Sequence, residues 1–305
     1  MLIATKSPTW ELKEPEDFDK FLDQQLERLQ TDCIEFYMQH GINAKDFEKF
    51  KEMGIFQRAQ EAKKAGKIRY FGFSFHDKHE AFINILNEYP WDFCMIQYNY
   101  LDVNEQAGKA GLEAATAKGV PVIVMEPLRG GRIAANLPAE IATIFEEAPI
   151  QQPPVEWAMR WLADQPGVVT ILSGMSTMEQ VEQNVAICAK PEMVPGCCSA
   201  AEHAIIAKVT EAWRGRIKVD CTECRYCVPC PQEIPIPDIF TGYNYAAMFD
   251  AWDFVKRRYT RLVEEKKDPG QCNACGACEA ICPQQLKIID ALKEAAEAIS
   301  AKLDK

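Results

Sequence analysis

No apolar run in the 305-residue chain reaches the ~18 residues that a membrane span needs. The opening residues, MLIATKSP, lack the long apolar stretch of a signal peptide. A cytoplasmic protein is therefore expected, with no membrane partner. Positive charge is short: 34 Lys and Arg face 45 Asp and Glu, for a net charge of −11. That balance argues against nucleic acid or an anionic membrane surface as a partner. No GxGxxG follows a strand-like segment, so an open dinucleotide-binding sheet loses its best support. Cysteine, by contrast, is abundant, at thirteen. A disulfide scaffold does not explain it, because such scaffolds are small, secreted and cysteine-dense throughout. Here eight of the thirteen fall in two tight runs near the C-terminal end, at spacings that suit metal or cluster ligation.

With 48% hydrophobic and 26% charged residues, the chain has material for a sizeable core. Over the first 190 residues, short β-branched runs alternate with amphipathic stretches. Strands are predicted at 2–5, 33–39, 68–74, 92–97, 121–125 and 168–173. Helices are predicted at 15–29, 55–65, 79–88, 104–118, 153–164 and 178–189. Pro15 suits the first turn of the first helix, Gly66 the C-cap of the second, and Ser176 the N-cap of the sixth. The strands are apolar without clean alternation, which marks a parallel sheet buried on both faces. Six such units build either an open doubly wound sheet or three quarters of an eight-unit barrel. Residues 191–220 read as a bridge with a helix at 199–212, and a last helix is predicted at 286–303.

The cysteine runs are CTECRYCVPCP, with Cys221, Cys224, Cys227 and Cys230, and CNACGACEAICP, with Cys272, Cys275, Cys278 and Cys282. The second has the full CxxCxxCxxxCP spacing of bacterial ferredoxins; the first is one residue short before its last cysteine. Iron in such clusters takes soft thiolate ligands. Three cysteines at two-residue gaps wrap one corner of a cluster, and the cysteine before proline ligates the other cluster. One [4Fe–4S] cluster is assigned to Cys221, Cys224, Cys227 and Cys282, the other to Cys272, Cys275, Cys278 and Cys230. Zinc sites fit less well, since zinc knuckles offer two CxxC pairs across a long gap. Of the other five, Cys33, Cys94 and Cys188 are expected in strand or helix cores. Cys197 and Cys198 are adjacent and carry no assignment. His76, His79 and His203 are explained by surface or helix positions.

Six segments resemble the aldo/keto reductases in order and spacing: IATKSP (3–8), TDCIEFYMQHG (31–41), GKIRYFGFSFHD (66–77), MIQYNY (95–100), MEPLRGG (125–131) and LSGMSTMEQVEQN (172–184). The cysteine runs narrow the resemblance to the subgroup with a ferredoxin-like tail. It implies an α/β fold: a (β/α)8 TIM barrel over residues 1–195, N-terminally incomplete with six units present. A linker helix and a small, mostly α-helical ferredoxin-like domain would fill 196–305.

The resemblance also implies NADPH- or NADH-dependent reduction of a small-molecule carbonyl by an Asp, Tyr, Lys, His tetrad. By motif the lysine is Lys6 and the histidine His40. On the residues alone, a solvated lysine and a core histidine would explain both. The family's Asp and Tyr belong to units before the strand at 2–5, about 60 residues that this sequence lacks. A misassigned start is the expected reason. Ser74 and Gln97 match nicotinamide-binding positions, and Met125 stands where an aromatic ring usually stacks. Ser173, Gly174, Met175 and Ser176, followed by Gln180, Gln183 and Asn184, match the phosphate loop. That loop lacks the usual Lys and Arg partners of a 2′-phosphate, and Arg129 is a candidate substitute. The alternative is a catalytically incomplete carrier that passes electrons through two [4Fe–4S] clusters to a partner protein.

Overall fold

The computed structural model describes residues 2–303. Six parallel strands are hydrogen-bonded in sequence order: β1 (Ala4–Ser7), β2 (Ile34–Ile42), β3 (Ile68–Phe75), β4 (Phe93–Gln97), β5 (Val122–Met125) and β6 (Val168–Ile171). An open doubly wound sheet would reverse its strand order at a switch point. This order never reverses, so the six units are those of an incomplete (β/α)8 barrel. β1 begins at Ala4 instead of residue 2, because the register pairs Ala4 with Phe36 and Lys6 with Met38. β2 runs through His40 and Gly41 to Ile42, three residues past its predicted end.

The helices of this part are α1 (Asp17–Leu29), α2 (Ala44–Glu52), α3 (Ile55–Lys64), α4 (His79–Glu88), α5 (Gly108–Ala117), α6 (Ala139–Glu146), α7 (Pro154–Ala163), α8 (Met178–Cys188) and α9 (Ala200–Gly215). α1 starts after Pro15, and the Asp17 carboxylate accepts the Lys13 and Glu14 N–H groups ahead of it. α2 has no counterpart in the sequence reading. Its AKDFEKFKE is short and charged, but Asn43 caps it through Asp46 N–H, and Phe47 and Phe50 are buried. Gly66, at φ +74°, turns the chain left-handed just beyond α3, as its C-cap signal predicts. α8 is capped by Thr177, not Ser176: Thr177 and Gln180 form a reciprocal capping box. Cys94 is buried as expected, whereas Cys33 is half-buried and Cys188 is exposed at the end of α8.

Period-2 alternation sends Tyr37, Phe71, Phe73 and Phe75 to one face of the sheet, where none is exposed. Phe18 of α1 and Phe82 of α4 meet them edge-on or tilted, at ring separations of 5.7 Å (Phe18–Tyr37) and 5.9 Å (Phe73–Phe82). The opposite face carries Met38, Phe93, Met95 and Ile123. There Gly72 is required. A Cβ on it would stand 2.6 Å from Phe93 O and 2.7 Å from the Phe93 ring.

Two compact units emerge. The first holds the chain up to Ala135 together with Gln152–Ile206; the second holds Asn136–Gln151 and the chain from Ala207 onward. The second contains α6, most of α9, α10 (Ile236–Phe249), α11 (Trp252–Glu264), α12 (Ala277–Ala280) and α13 (Ile288–Leu303). Its core joins Ile239, Phe240 and Tyr243 of α10, Val255 and Tyr259 of α11, and Leu292 and Ala295 of α13. The half-buried cysteines of both runs pack against this core.

Overpacking a filled core costs about 1–3 kcal/mol. Gly72→Ala is expected to lower the unfolding free energy by that amount in denaturant titration, because Phe93 cannot yield without moving backbone. An unchanged midpoint would show that the strand pair relaxes.

Candidate functional site

Parallel strands bring all their C-terminal ends to one rim. Lys6 lies there on β1, His40 on β2, and His76 directly after β3. Burial lowers the pKa of Lys6. Burial also lowers His40, helped by the positive charges of Lys6 and His76. His76 is exposed at the surface, yet partial desolvation of its ring and the charge of Lys6 lower it, against a raising hydrogen bond from Gln106. The three basic groups therefore face one another. Both imidazoles are held neutral near pH 7, where each can donate one ring hydrogen bond. Thr9 Oγ1 donates to His40 O at 2.6 Å, and the Trp10 ring lies 5.1 Å from the His40 ring. The sequence reading passed over His76. The available signal was its place at a strand end, the same place as His40.

The expected cofactor residues divide into two groups. Ser74 is fully buried, and its Oγ accepts the Gly41 N–H at 2.7 Å. Gln97 donates to Asp102 Oδ2 (3.1 Å) and accepts from Gln106 Nε2 (3.2 Å). The buried Asp102 also receives Asn99 Nδ2 (2.9 Å) and faces Arg129 Nε at 3.2 Å. Arg129 is thus turned toward a carboxylate. Gln180 Oε1 accepts the Ser176 N–H at 2.7 Å within the α8 cap, and Asn184 donates to Ser173 Oγ at 3.0 Å. Met125 is half-buried, while Gly174, Met175 and Gln183 are exposed. A Cβ on Gly174 would meet nothing within 4 Å.

In the second unit, a cavity of about 360 Å³ is lined by Cys230, Cys272, Cys275 and Cys278, with Cys227 at its side. A smaller one is lined by Cys221, Cys224, Cys227 and Cys282. Positive φ at Glu223, Arg225 and Ala274 turns the backbone sharply within the runs. Burial pushes the Cys227 thiol up to about 11, and Cys221, Cys224 and Cys278 push the same way. Burial also raises Cys221, with Glu223, Cys224 and Cys282 adding to it. Cysteines that raise one another in this way repel as thiolates. They suit a polynuclear cationic centre, so the donor set fits iron–sulfur clusters.

Sheet order, strand-end chemistry and cysteine cavities together describe a barrel oxidoreductase joined to an iron–sulfur domain. Residues 1–196 match the aldo/keto reductase family, and residues 220–287 match the 4Fe-4S dicluster domain. The chain belongs to the aldo/keto reductase family. Among solved structures it is similar to the aldo-keto reductase AKR11C1 from Bacillus halodurans in its holo form, at 24% identity and a TM-score of 0.56, covering 68% of this chain and 72% of that one. The apo form gives 24% and 0.55 over 68% and 71%. The thermostable aldo-keto reductase Tm1743, in complex with the inhibitor epalrestat, gives 20% and 0.54 over 68% and 71%. At these identities the likeness is one of fold. Among curated proteins, none matches the chain.

The neutral histidines yield a test. In a pH titration followed by imidazole C–H resonances, His40 and His76 are expected to titrate below the ordinary value of about 6.5. Lys6→Met removes a positive charge facing both, so both midpoints should rise. Midpoints that stay put would mean that Lys6 does not face them. The linkage has a fixed sign. The folded pKa values lie below the unfolded ones, so this contribution to stability is full above pH ~6.5 and falls as pH drops toward the folded values.

Proposed function

We propose that the chain is an iron–sulfur oxidoreductase of the aldo/keto reductase type, reducing a small-molecule carbonyl with NADPH or NADH. The observation that carries this reading is the convergence of Lys6 with the neutral His40 on the rim where barrel enzymes keep their chemistry. The nicotinamide cofactor, when bound, supplies the hydride. His40 would hold the carbonyl oxygen by an N–H hydrogen bond, and Lys6, lowered by burial, would present positive charge to the oxygen as it gains negative character and pass it the proton that completes the alcohol, to be reprotonated from solvent. His76 widens the same donor cluster. Met125 would pack loosely against a bound nicotinamide ring, as thioethers do. Ser74 and Gln97 act through Gly41 and Asp102, holding the rim in shape, and the Ser74 hydroxyl would be available to donate to the carboxamide. Ser173, Gly174, Met175 and Ser176 leave the first-turn N–H groups of Met178 and Glu179 for phosphate, flanked by Gln183. Gln180 and Asn184 shape that loop. Arg129, neutralised by Asp102, makes a weak 2′-phosphate partner, so discrimination between NADPH and NADH is expected to be slight.

In the second unit, Cys221, Cys224, Cys227 and Cys282 are proposed to hold one [4Fe–4S] cluster. Cys272, Cys275, Cys278 and Cys230 are proposed to hold the other. The functional boundary is proposed at 195/196, ahead of the change of compact unit after Ile206, and a reducing cytoplasm would keep the thiols available. A second reading, an electron carrier serving a partner protein, is favoured by the exposure of Cys224 and Cys275, which brings a side of each cluster toward solvent.

With anaerobically purified protein, oxidation of NADPH or NADH by a panel of aldehydes is expected, and Lys6→Met should lower kcat/KM at least about 100-fold. Turnover that ignores the substitution would sink the enzyme reading; cluster redox signals without any turnover would favour the carrier. The crossed ligation has its own signature. Loss of Cys282 should alter the same electron paramagnetic resonance spectrum as loss of Cys224, and loss of Cys230 the same one as loss of Cys275. Pairing of Cys230 with Cys224 instead would refute the crossing.

A further inference from the structure

Cys197 and Cys198 lie outside both cluster runs, in the loop between α8 and α9. That loop is tied to the end of α7 by its backbone. Gly196 N–H donates to Asp164 O at 3.1 Å, and Cys198 N–H donates to Asp164 Oδ1 at 2.7 Å. Asp164 itself is buried, directly after α7. Its carboxylate oxygen and the two Sγ atoms all lie within 4.8 Å of one another. From the first turn of α9, His203 Nε2 stands 3.2 Å from Asp164 Oδ2. The surrounding frame is fixed. Ser199 and Glu202 cap α9 reciprocally, through Glu202 N to Ser199 Oγ (3.2 Å) and Ser199 N to Glu202 Oε2 (2.8 Å). Arg160 donates to Glu202 Oε1 (2.9 Å) and to Cys197 O (3.1 Å).

We propose that Cys197, Cys198, Asp164 and His203 form a structural zinc site that clamps the loop before α9 to the end of α7. Zinc takes four ligands, sulfur at ~2.3 Å and nitrogen or oxygen at ~2.0–2.2 Å, in a tetrahedron. Ligand atoms around such an ion stand about 3.3–3.8 Å apart by that geometry. The 3.2 Å between Nε2 and Oδ2 is already a ligand–ligand spacing, and the 4.8 Å limit on the other three atoms is one small side-chain adjustment away. The half-exposed His203 ring has room to turn toward the sulfurs. Two thiols, one imidazole and one carboxylate suit zinc, whereas a [4Fe–4S] cluster asks for four thiolates. On binding, each thiol releases its proton to solvent, and nothing is oxidised or reduced. Two thiolates and a carboxylate against a divalent ion leave one negative charge, with the Arg160 guanidinium beside Cys197. All four ligands belong to the first unit, so the clamp stands independently of the cluster and carbonyl readings.

The test uses the whole protein with its clusters intact, dialysed anaerobically against buffered free Zn²⁺, with zinc and iron measured by elemental analysis. About one zinc per chain is expected beside a full iron complement. The zinc-edge X-ray absorption shell should hold two sulfurs and two nitrogen or oxygen atoms. In Cys197→Ser/Cys198→Ser, bound zinc should fall at least tenfold while iron stays constant. Zinc below a tenth per chain in the wild type would overturn the site. So would equal retention in the double variant, an all-sulfur shell reporting exchange at the clusters, or a Cys197–Cys198 disulfide that persists anaerobically. The absorption shell of the wild type decides the matter even if the double variant misfolds.

Discussion

Strands that run parallel cannot be joined by hairpins. Each must be followed by a crossover that returns the chain to the starting edge. With six strands paired in sequence order, this single constraint puts every C-terminal strand end on one rim. The register then selects which side chains face inward there. Lys6 pairs with Met38, Met38 with Gly72, Ser74 with Met95, and Gln97 with Met125. Residues far apart in the chain are thereby held on one face by backbone hydrogen bonds alone. The aromatic layer on the opposite face holds that register, because a slip by one residue would send Tyr37, Phe71 and Phe73 to the wrong side.

The second unit meets a different constraint. Its cysteines must be held near one another, and its helical core does that. Ile234, Ile236 and Phe240 supply an apolar floor, and cysteines of both runs pack on it as partly buried groups. A donor set whose members raise one another's pKa is poor as a free cluster of thiols and good as a ligand shell. Folding and loading are therefore coupled in the sense that metal binding contributes folding free energy.

The strands were legible because apolar runs bounded by turns leave few alternatives, and α4 falls at the predicted residues 79–88. β2 runs past its predicted end at residue 39, where the Gly41 N–H is held by Ser74 Oγ of the neighbouring strand. α10 was missed for the opposite reason to α2. Its IPDIFTGYNYAAMF is buried nearly all round, so no polar stripe gives a 3.6 period. The cluster cysteines were legible from spacing, being local in sequence. Lys6 and His40 came only from resemblance. Asp102, which gathers Gln97, Asn99 and Arg129, and the Asp164–Cys197–Cys198 group depend on segments brought together by the fold. No local pattern encodes either.

Electrostatics at the rim follows from burial more than from net charge. The chain is acidic overall, at −11, but exposed charges beyond about 8–10 Å are screened at physiological ionic strength. What an anionic ligand meets at the rim is set by the groups within that distance. If His40 and His76 were both charged, three cations would crowd one spot, and each would lower the others' proton affinity. Partial desolvation and the charge of Lys6 remove the conflict by favouring neutral imidazoles. Lys6 then carries the positive charge, and the imidazoles keep their N–H groups for directional bonds. Lys6 is itself lowered by the same burial, which brings its proton nearer to exchange than that of a surface lysine. One charge and two neutral donors on one rim would suit the developing negative oxygen of the proposed reduction.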